Sequence, residues 1–322
     1  MYKLKFAIPK GSLEKATFDF LERAMFEIYG KERSYRPTTN DPDLALKILR
    51  PQEIPIYVSE GLYDIGITGI DWVEETEANV KILLNLEYGR VNLVIAVPKT
   101  LNVNSTDELI KQYFDSKKVL RISTEYPRLV SRYISSLEIY KRLYGEMKPT
   151  IVTPWWKIGE NDKVQIYLSF GATEAKPPDE ADAIADISET GTTLEQNNLK
   201  AIDVIIKSSA ILIANIQSLK DEAKKEKIYD IVAQFKGVIE SKKKYHIFVN
   251  VKEENLEELL RTLPALKSPT ISPLSKKGWY AVNTVIERSE YLKILPRLRK
   301  LAQGLVLYEP QLVMPLEEIQ DK

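Results

Sequence analysis

The chain has 322 residues, no cysteine and one histidine, and its 46 basic residues balance 46 acidic ones. At 44% hydrophobic and 29% charged it has the composition of an ordinary globular protein of about two domains. That excludes a disordered chain, a disulfide scaffold, thiolate catalysis and a multi-histidine metal site. Zero net charge gives no reason to expect a nucleic-acid partner. No signal-peptide pattern opens the chain and no run of ~18 apolar residues could span a membrane, so the expectation is a cytoplasmic protein without a membrane partner.

In chain order, residues 3–8 predict a strand closing at Pro9. Leu13, Ala16, Phe20, Leu21 and Ala24 then recur at helical spacing behind an N-cap at Ser12. Residues 44–50 predict a second strand stopped by Pro51, with a helix over about 52–60. Asp64–Gly69 reads as a short strand entering a tight turn, and residues 91–97 as a buried strand. A helix at 106–114, a strand at 119–123 and a helix from Pro127 to Tyr144 follow. The Pro- and Trp-rich stretch 145–180 contains an alternating run at 164–170. Residues 181–187 predict a strand, residues 202–214 two strand pieces returning to the first unit, and residues 218–242 a charged connecting helix.

The last 80 residues read strand (245–251), helix (253–263), two strands (269–274 and 279–286) around Ser275–Gly278, helix (289–302) and strand (304–308). That order, βαββαβ, is the split ferredoxin-like unit. The expected fold is therefore α/β with a largely parallel sheet. The expected limits are a first lobe at 1–97 with a return segment at about 200–240, a second lobe at 98–199, and a separate C-terminal domain at 243–322.

Chemistry must rest on carboxylates, hydroxyls, Lys, Arg and backbone dipoles, because His246 sits in a strand and reads as a satisfied or surface residue. The strongest signal is Asp182–Leu194, where an apolar strand ends in Glu189, Thr190, Gly191, Thr192 and Thr193. Glycine and hydroxyls where a strand gives way to a helix can cradle a phosphate. Asp186 and Glu189 can accept hydrogen bonds from ribose hydroxyls or meet Mg²⁺ indirectly, so the pattern suits a phosphorylated ribose; a capped turn would read the same way. Lys10 follows the first strand and could neutralise a polyphosphate, or be a surface lysine before an N-cap. Arg50, before Pro51, could grip phosphate through both nitrogens, or be surface. Thr68 and Gly69 end the Asp64–Asp71 run, where glycine allows close backbone approach or simply a tight turn. All these positions follow apolar strands, where open α/β sheets bind ligands.

Six stretches in order, Ile8–Gly11, Leu49–Pro55, Asp64–Asp71, Ser123–Pro127, Ala181–Leu194 and Leu266–Leu274, resemble the long form of the ATP phosphoribosyltransferase family across nearly the whole chain. The resemblance implies a two-lobed, periplasmic-binding-protein-like catalytic core plus a C-terminal ferredoxin-like (ACT-like) domain. It implies condensation of ATP with 5-phosphoribosyl 1-pyrophosphate (PRPP), with Mg²⁺ as cofactor, in the first step of histidine biosynthesis. By the same resemblance Asp186, Lys10 and Arg50 are catalytic, and Glu189–Thr193 bind PRPP. Gly11, Thr68 and Gly69 line the ATP side, and Leu266 and Thr270 belong to a site for L-histidine as feedback inhibitor. Dimers and hexamers are implied as well. The chain departs from the family pattern at Ser12, in the run Phe170–Pro178, where Glu174 and Lys176 could touch substrate but read better as surface residues, and at Val249 and Val251, where some members carry an acid. The competing expectation is a two-lobed binding protein for a phosphorylated metabolite or amino acid.

Overall fold

This computed structural model describes residues 3–31, 34–264 and 269–314. In chain order the first elements are β1 (Leu4–Pro9), α1 (Glu14–Arg23), β2 (Ile28–Tyr29), β3 (Thr38–Thr39), β4 (Leu44–Leu49), α2 (Ile54–Ser59), β5 (Ile65–Gly69), α3 (Ile70–Thr76), β6 (Val80–Asn85) and β7 (Val91–Pro98). Next come α4 (Thr106–Asp115), β8 (Leu120–Thr124), α5 (Pro127–Ser136), α6 (Glu138–Tyr144), β9 (Pro149–Val152), β10 (Lys157–Ile158), β11 (Asn161–Leu168), β12 (Ala183–Ser188), α7 (Thr192–Gln196), β13 (Leu199–Ser208) and β14 (Ala210–Asn215). The chain ends with α8 (Glu222–Ser241), β15 (Lys244–Lys252), α9 (Glu253–Thr262), β16 (Thr270–Pro273), β17 (Trp279–Glu287), α10 (Arg288–Leu301) and β18 (Ala302–Tyr308).

The chain divides into two compact units. The first comprises residues 1–17, 34–36 and 43–221 and holds two sheets. One runs β4-β1-β5-β14-β6. Its β1 and β5 are buried nearly throughout, as strands covered on both faces must be, and Ala7, Ile54, Val58, Ile211 and Ile213 pack one side. The other runs β10-β9-β11-β8-β12-β7-β13, with Leu93, Ile95, Ile122, Val130, Ile134 and Ile166 in its core. The centre of each sheet is parallel, as expected. Pairing turns antiparallel at β14 with β5 and β6, and at β7 with β12 and β13. Those are the strands that carry the chain from one sheet to the other.

The crossing therefore falls elsewhere than expected. β7 belongs to the second sheet, so the first lobe ends near Leu86 rather than at residue 97. β13 also pairs with β7, and only β14 returns, so the break at Ser209 between the two predicted strand pieces is the return crossing. The predicted helix 127–144 is two helices. Leu137 is extended (φ −68°, ψ 132°), and just before it the Ser136 hydroxyl donates to the Tyr133 carbonyl at 2.6 Å, a local bond that competes with the helical ladder.

The second unit comprises residues 18–33, 37–42 and 222–322. Its sheet has the order β16-β17-β15-β18, all antiparallel, with α9 and α10 packed over Ile247, Val249, Val251, Val282 and Ile286. This is the expected βαββαβ topology. The valines that replace an acid are thus core residues. The helix α8 is more than a connector: Phe235 is fully buried and packs edge-on against Phe20 at 5.1 Å, so α8 and residues 18–33 belong to this unit. No helix among the described residues is long and apolar enough to cross a membrane.

Candidate active site

The loop after β12 is built as an anion cradle would be. Gly191 caps α7 with φ +83°. A Cβ there would meet nothing within 4 Å, so the backbone angle and not crowding calls for glycine. Its N–H donates to Ser188 Oγ at 3.0 Å, and the hydroxyls of Thr190 and Thr192 bond each other at 2.9 Å. Glu189, Thr190, Thr192 and Thr193 are exposed. The result is a rim of hydroxyls beside the first-turn N–H groups of a helix, which have no partner within the helix itself.

Asp186 lies two residues before Ser188 and is half-buried. Burial pushes its carboxyl up to about 6. The N–H of Ile187, 2.7 Å from Oδ1, pulls it back, and the charges of Glu174 and Glu125 push it further up. Glu125 follows the end of β8, which pairs with β12 through Thr124 and Ala185, and its own carboxyl is raised by burial. Glu174, expected at the surface, is half-buried and close enough to act on Asp186.

On the first lobe, Lys10 follows β1 and donates from Nζ to Tyr35 Oη at 2.8 Å, with the ammonium 4.4 Å from the ring centre. Tyr35 is held to the edge of β4 by Ile48 N–H, which donates to its carbonyl at 2.9 Å. Lys10 first and Arg50 second lower the Tyr35 hydroxyl below its ordinary value, so the ring joins the two cations proposed from the sequence. Arg50 itself is exposed, and its backbone N–H donates to Glu53 at 3.2 Å. Gly11 has φ +85° and its N–H donates to Glu14 at 3.3 Å.

Thr68 and Gly69 serve the scaffold more than the expected reading allowed. Thr68 is fully buried and its hydroxyl donates to the Pro51 carbonyl at 2.7 Å. A Cβ at Gly69 would collide with Asp71 Oδ1, so the folded-back carboxylate favours glycine here.

That carboxylate opens a network the sequence reading missed. Asp71 Oδ1 accepts the Ser208 hydroxyl, and Oδ2 accepts the Tyr126 hydroxyl at 2.9 Å. Trp72 stacks on Tyr126 with centroids 4.3 Å apart. One turn further along α3, the Glu75 carboxylate accepts the N–H groups of Arg128 (3.0 Å) and Leu129 (2.8 Å) at the start of α5. Burial pushes Glu75 up to about 7, against those two donors and the charges of Arg128 and Arg132. These bonds tie α3 of the first lobe to α5 and β13 of the second. Asp71 and Tyr126 stood in the quoted motifs, but nothing in the sequence says that residues 55 apart meet.

In the second unit, His246 sits on β15 with its ring 4.6 Å from that of Phe248. Thr270 is exposed on the edge strand β16, opposite Asn283. Leu266 lies outside the described residues.

Fold and candidate site define a class: a two-lobed α/β core, with polar and charged side chains at strand ends on both lobes, joined in one chain to a ferredoxin-like module. A family profile described as HisG, ATP phosphoribosyltransferase, matches residues 50–237, and one described as HisG, C-terminal domain, matches residues 241–310. An ATP phosphoribosyltransferase of Solibacter usitatus is 38% identical over 311 residues, 95% of this chain and 97% of its own. One from Pelotomaculum thermopropionicum is 35% identical over 97% of this chain and all of its own. Among solved structures, the ATP phosphoribosyl transferase (HisG:HisZ) complex from Thermotoga maritima aligns at a TM-score of 0.55 and 26% identity, over 72% of this chain and 96% of that one. The chain belongs to the ATP phosphoribosyltransferase family. It is a pentosyltransferase, and its reaction is the first step of histidine biosynthesis.

Proposed function

We propose that this chain joins N1 of ATP's adenine to C1′ of PRPP as the bond from C1′ to the pyrophosphate oxygen breaks, releasing pyrophosphate and 1-(5-phosphoribosyl)-ATP. The observation that carries the site assignment is the open hydroxyl and amide rim at Glu189–Thr193, which suits the 5′-phosphate of PRPP. Asp186, beside it, suits the ribose end. Lys10 and Arg50 face the polyphosphates, with Tyr35 holding Lys10, and Gly11 and the Thr68–Gly69 backbone shape the nucleotide side.

Adenine N1 attacks with a lone pair and has no proton to lose, so no general base is needed. The transition state gathers positive charge on the ribose and negative charge on the leaving pyrophosphate. Catalysis then rests on orientation and on charges fixed near both ends. Asp186 and Glu125 supply negative charge near the sugar, and Lys10 and Arg50 positive charge near the phosphates.

The charges of Glu174 and Glu125 both act on the Asp186 carboxyl, and three carboxylates that close are a donor set that suits a hard divalent cation, read here as Mg²⁺. They form no ready-made metal cluster among the described residues. The ion is read as carried mainly by substrate phosphates. Such an ion supplies neutralisation of the diphosphate when bound. We further read the C-terminal module as the seat of L-histidine inhibition near Leu266 and Thr270, the chain as a self-associating dimer or hexamer, and its location as the cytoplasm. The presence of a complete βαββαβ module in the same chain supports the regulatory part of this reading.

The test is ultraviolet absorbance of purified protein with ATP, PRPP and Mg²⁺, with pyrophosphatase present to draw the reaction forward. A PRPP-dependent rise that histidine suppresses is expected. No rise refutes the activity, and a rise insensitive to histidine refutes the regulatory assignment alone.

A further inference from the structure

Where the chain crosses between the lobes, a cavity of about 450 Å³ opens beside the PRPP loop, and its walls include Arg90, Lys207, Asn85, Asn92 and Glu189. None of the first four belongs to the site described so far. Their placement follows from strand register. Ser188 on β12 pairs with Asn92 on β7, and Asn92 pairs with Lys207 on β13. Residues paired across neighbouring strands share a face. Lys207 therefore stands in one row with Ser188, the residue that fastens the PRPP loop through Gly191 N–H. Two strand spacings, roughly 10 Å, separate them.

The chemistry of the row is that of an anion site. Lys207 and Arg90 are exposed cations. The only ion pair of Arg90 among the described residues is with Glu87 at 3.9 Å, with the arginine side chain 73% exposed, a contact weak enough to yield to a phosphate. Asn85 Oδ1 accepts both the Ser209 hydroxyl (3.1 Å) and the Glu87 N–H (2.9 Å), which turns its NH₂ donor away from both. Two cations and an amide donor thus line the cavity, and Glu189, which can take a ribose hydroxyl, lines it with them.

We propose that Arg90, Lys207 and Asn85 form a further anion subsite, for the diphosphate or triphosphate end of a substrate, separate from the Thr190–Thr193 phosphate loop and additional to the Lys10 and Arg50 cations. The inference rests on the phosphoribosyl reading of that loop and extends it. A phosphoribosyl donor carries its 5′-phosphate and its 1-diphosphate at opposite ends of one sugar, which calls for two anion sites set apart. The triphosphate of ATP offers the same chemistry from the other substrate.

The experiment uses the full chain with Arg90→Met, Lys207→Met and the pair, each checked for an unchanged thermal melt, since both side chains are exposed. Calorimetric titration with inorganic pyrophosphate and, separately, with ribose 5-phosphate reads the two subsites. The paired variant is expected to bind pyrophosphate on the order of 100-fold more weakly and ribose 5-phosphate within twofold of wild type. A matching rise in KM for PRPP assigns the subsite to the donor's diphosphate, and a rise in KM for ATP assigns it to the triphosphate. Wild-type pyrophosphate affinity in the paired variant, with both KM values unchanged, overturns the proposal, as does a wild-type protein that does not bind pyrophosphate. Thr192→Val run in parallel keeps the two readings apart. If it leaves ribose 5-phosphate binding intact, the loop reading fails whatever Lys207 does.

Discussion

Asp186→Asn should stabilise the protein while nearly abolishing turnover. The carboxyl is pushed from an ordinary 3.8 to about 6, chiefly by burial and then by Glu174 and Glu125. That distance corresponds to about 3 kcal/mol between the charged and neutral forms. The sign follows from the direction. A carboxyl whose proton affinity is higher when folded than when unfolded adds stability in full below about pH 3.8, and that stability is lost as pH rises through about 6. At pH 7.5 the charged Asp186 is thus a burden on the fold. Asparagine keeps an oxygen to accept the Ile187 N–H and removes the charge.

After discounting for relaxation and for water reaching a half-buried group, a gain of about 1–3 kcal/mol is expected at pH 7.5. For a unit of this size that is a rise in Tm of several degrees. At pH 4.5 the gain should shrink toward zero. Thermal melts of both proteins at the two pH values measure it. An equal or lower Tm at pH 7.5, or the same gain at pH 4.5, refutes the argument from burial. Turnover should fall by about 100-fold or more, and the wild-type rate should decline below about pH 6 as Asp186 takes up its proton. A near-normal rate for Asp186→Asn would reduce this residue to packing.

Glu75→Ala leaves the first two N–H groups of α5 without their acceptor, and should cost about 2 kcal/mol at pH 6, measured by denaturant unfolding. Because Glu75 is pushed up to about 7, its stabilising contribution is lost as pH rises through that value. The penalty should therefore narrow by pH 8.5, and a penalty that widens instead contradicts the reasoning. Tyr35→Phe keeps the ring beneath the Lys10 ammonium and removes its 2.8 Å partner. Turnover should drop several-fold, and the same change in a Lys10→Met background should have no effect, since Tyr35 acts through Lys10. Additive losses in the double variant would show that it does not.

How much of this was legible before folding depended on range. β1, β4, β5, β8 and β12 announce themselves as apolar runs closed at or soon after their ends by proline, glycine, serine or threonine, and the positions around those ends are the ones proposed for the site. The βαββαβ order was equally local, carried by alternation and by the turn at Ser275–Gly278. What escaped was set by pairing. No local signal tells β13 to stay with β7 while β14 leaves, or makes α8 a core helix by packing Phe235 on Phe20. Thr68 and Gly69 show the same limit. Their sequence suggests ligand approach, but Pro51 and Asp71 supply the partners that claim them.

Lys207 and Ser208 are neighbours at the end of β13. Both residues line the crossing cavity, Lys207 exposed and Ser208 buried with its hydroxyl on Asp71, which in turn takes the Tyr126 hydroxyl. An anion held by Lys207 would sit one peptide from the bonds that join the lobes. Ser188, two strands away in the same row, fastens the phosphate loop. Substrate charge and lobe attachment are therefore read by adjacent residues of one strand. A perturbation at Ser208 should disturb both substrate affinity and stability, whereas one at Lys207 should disturb affinity alone.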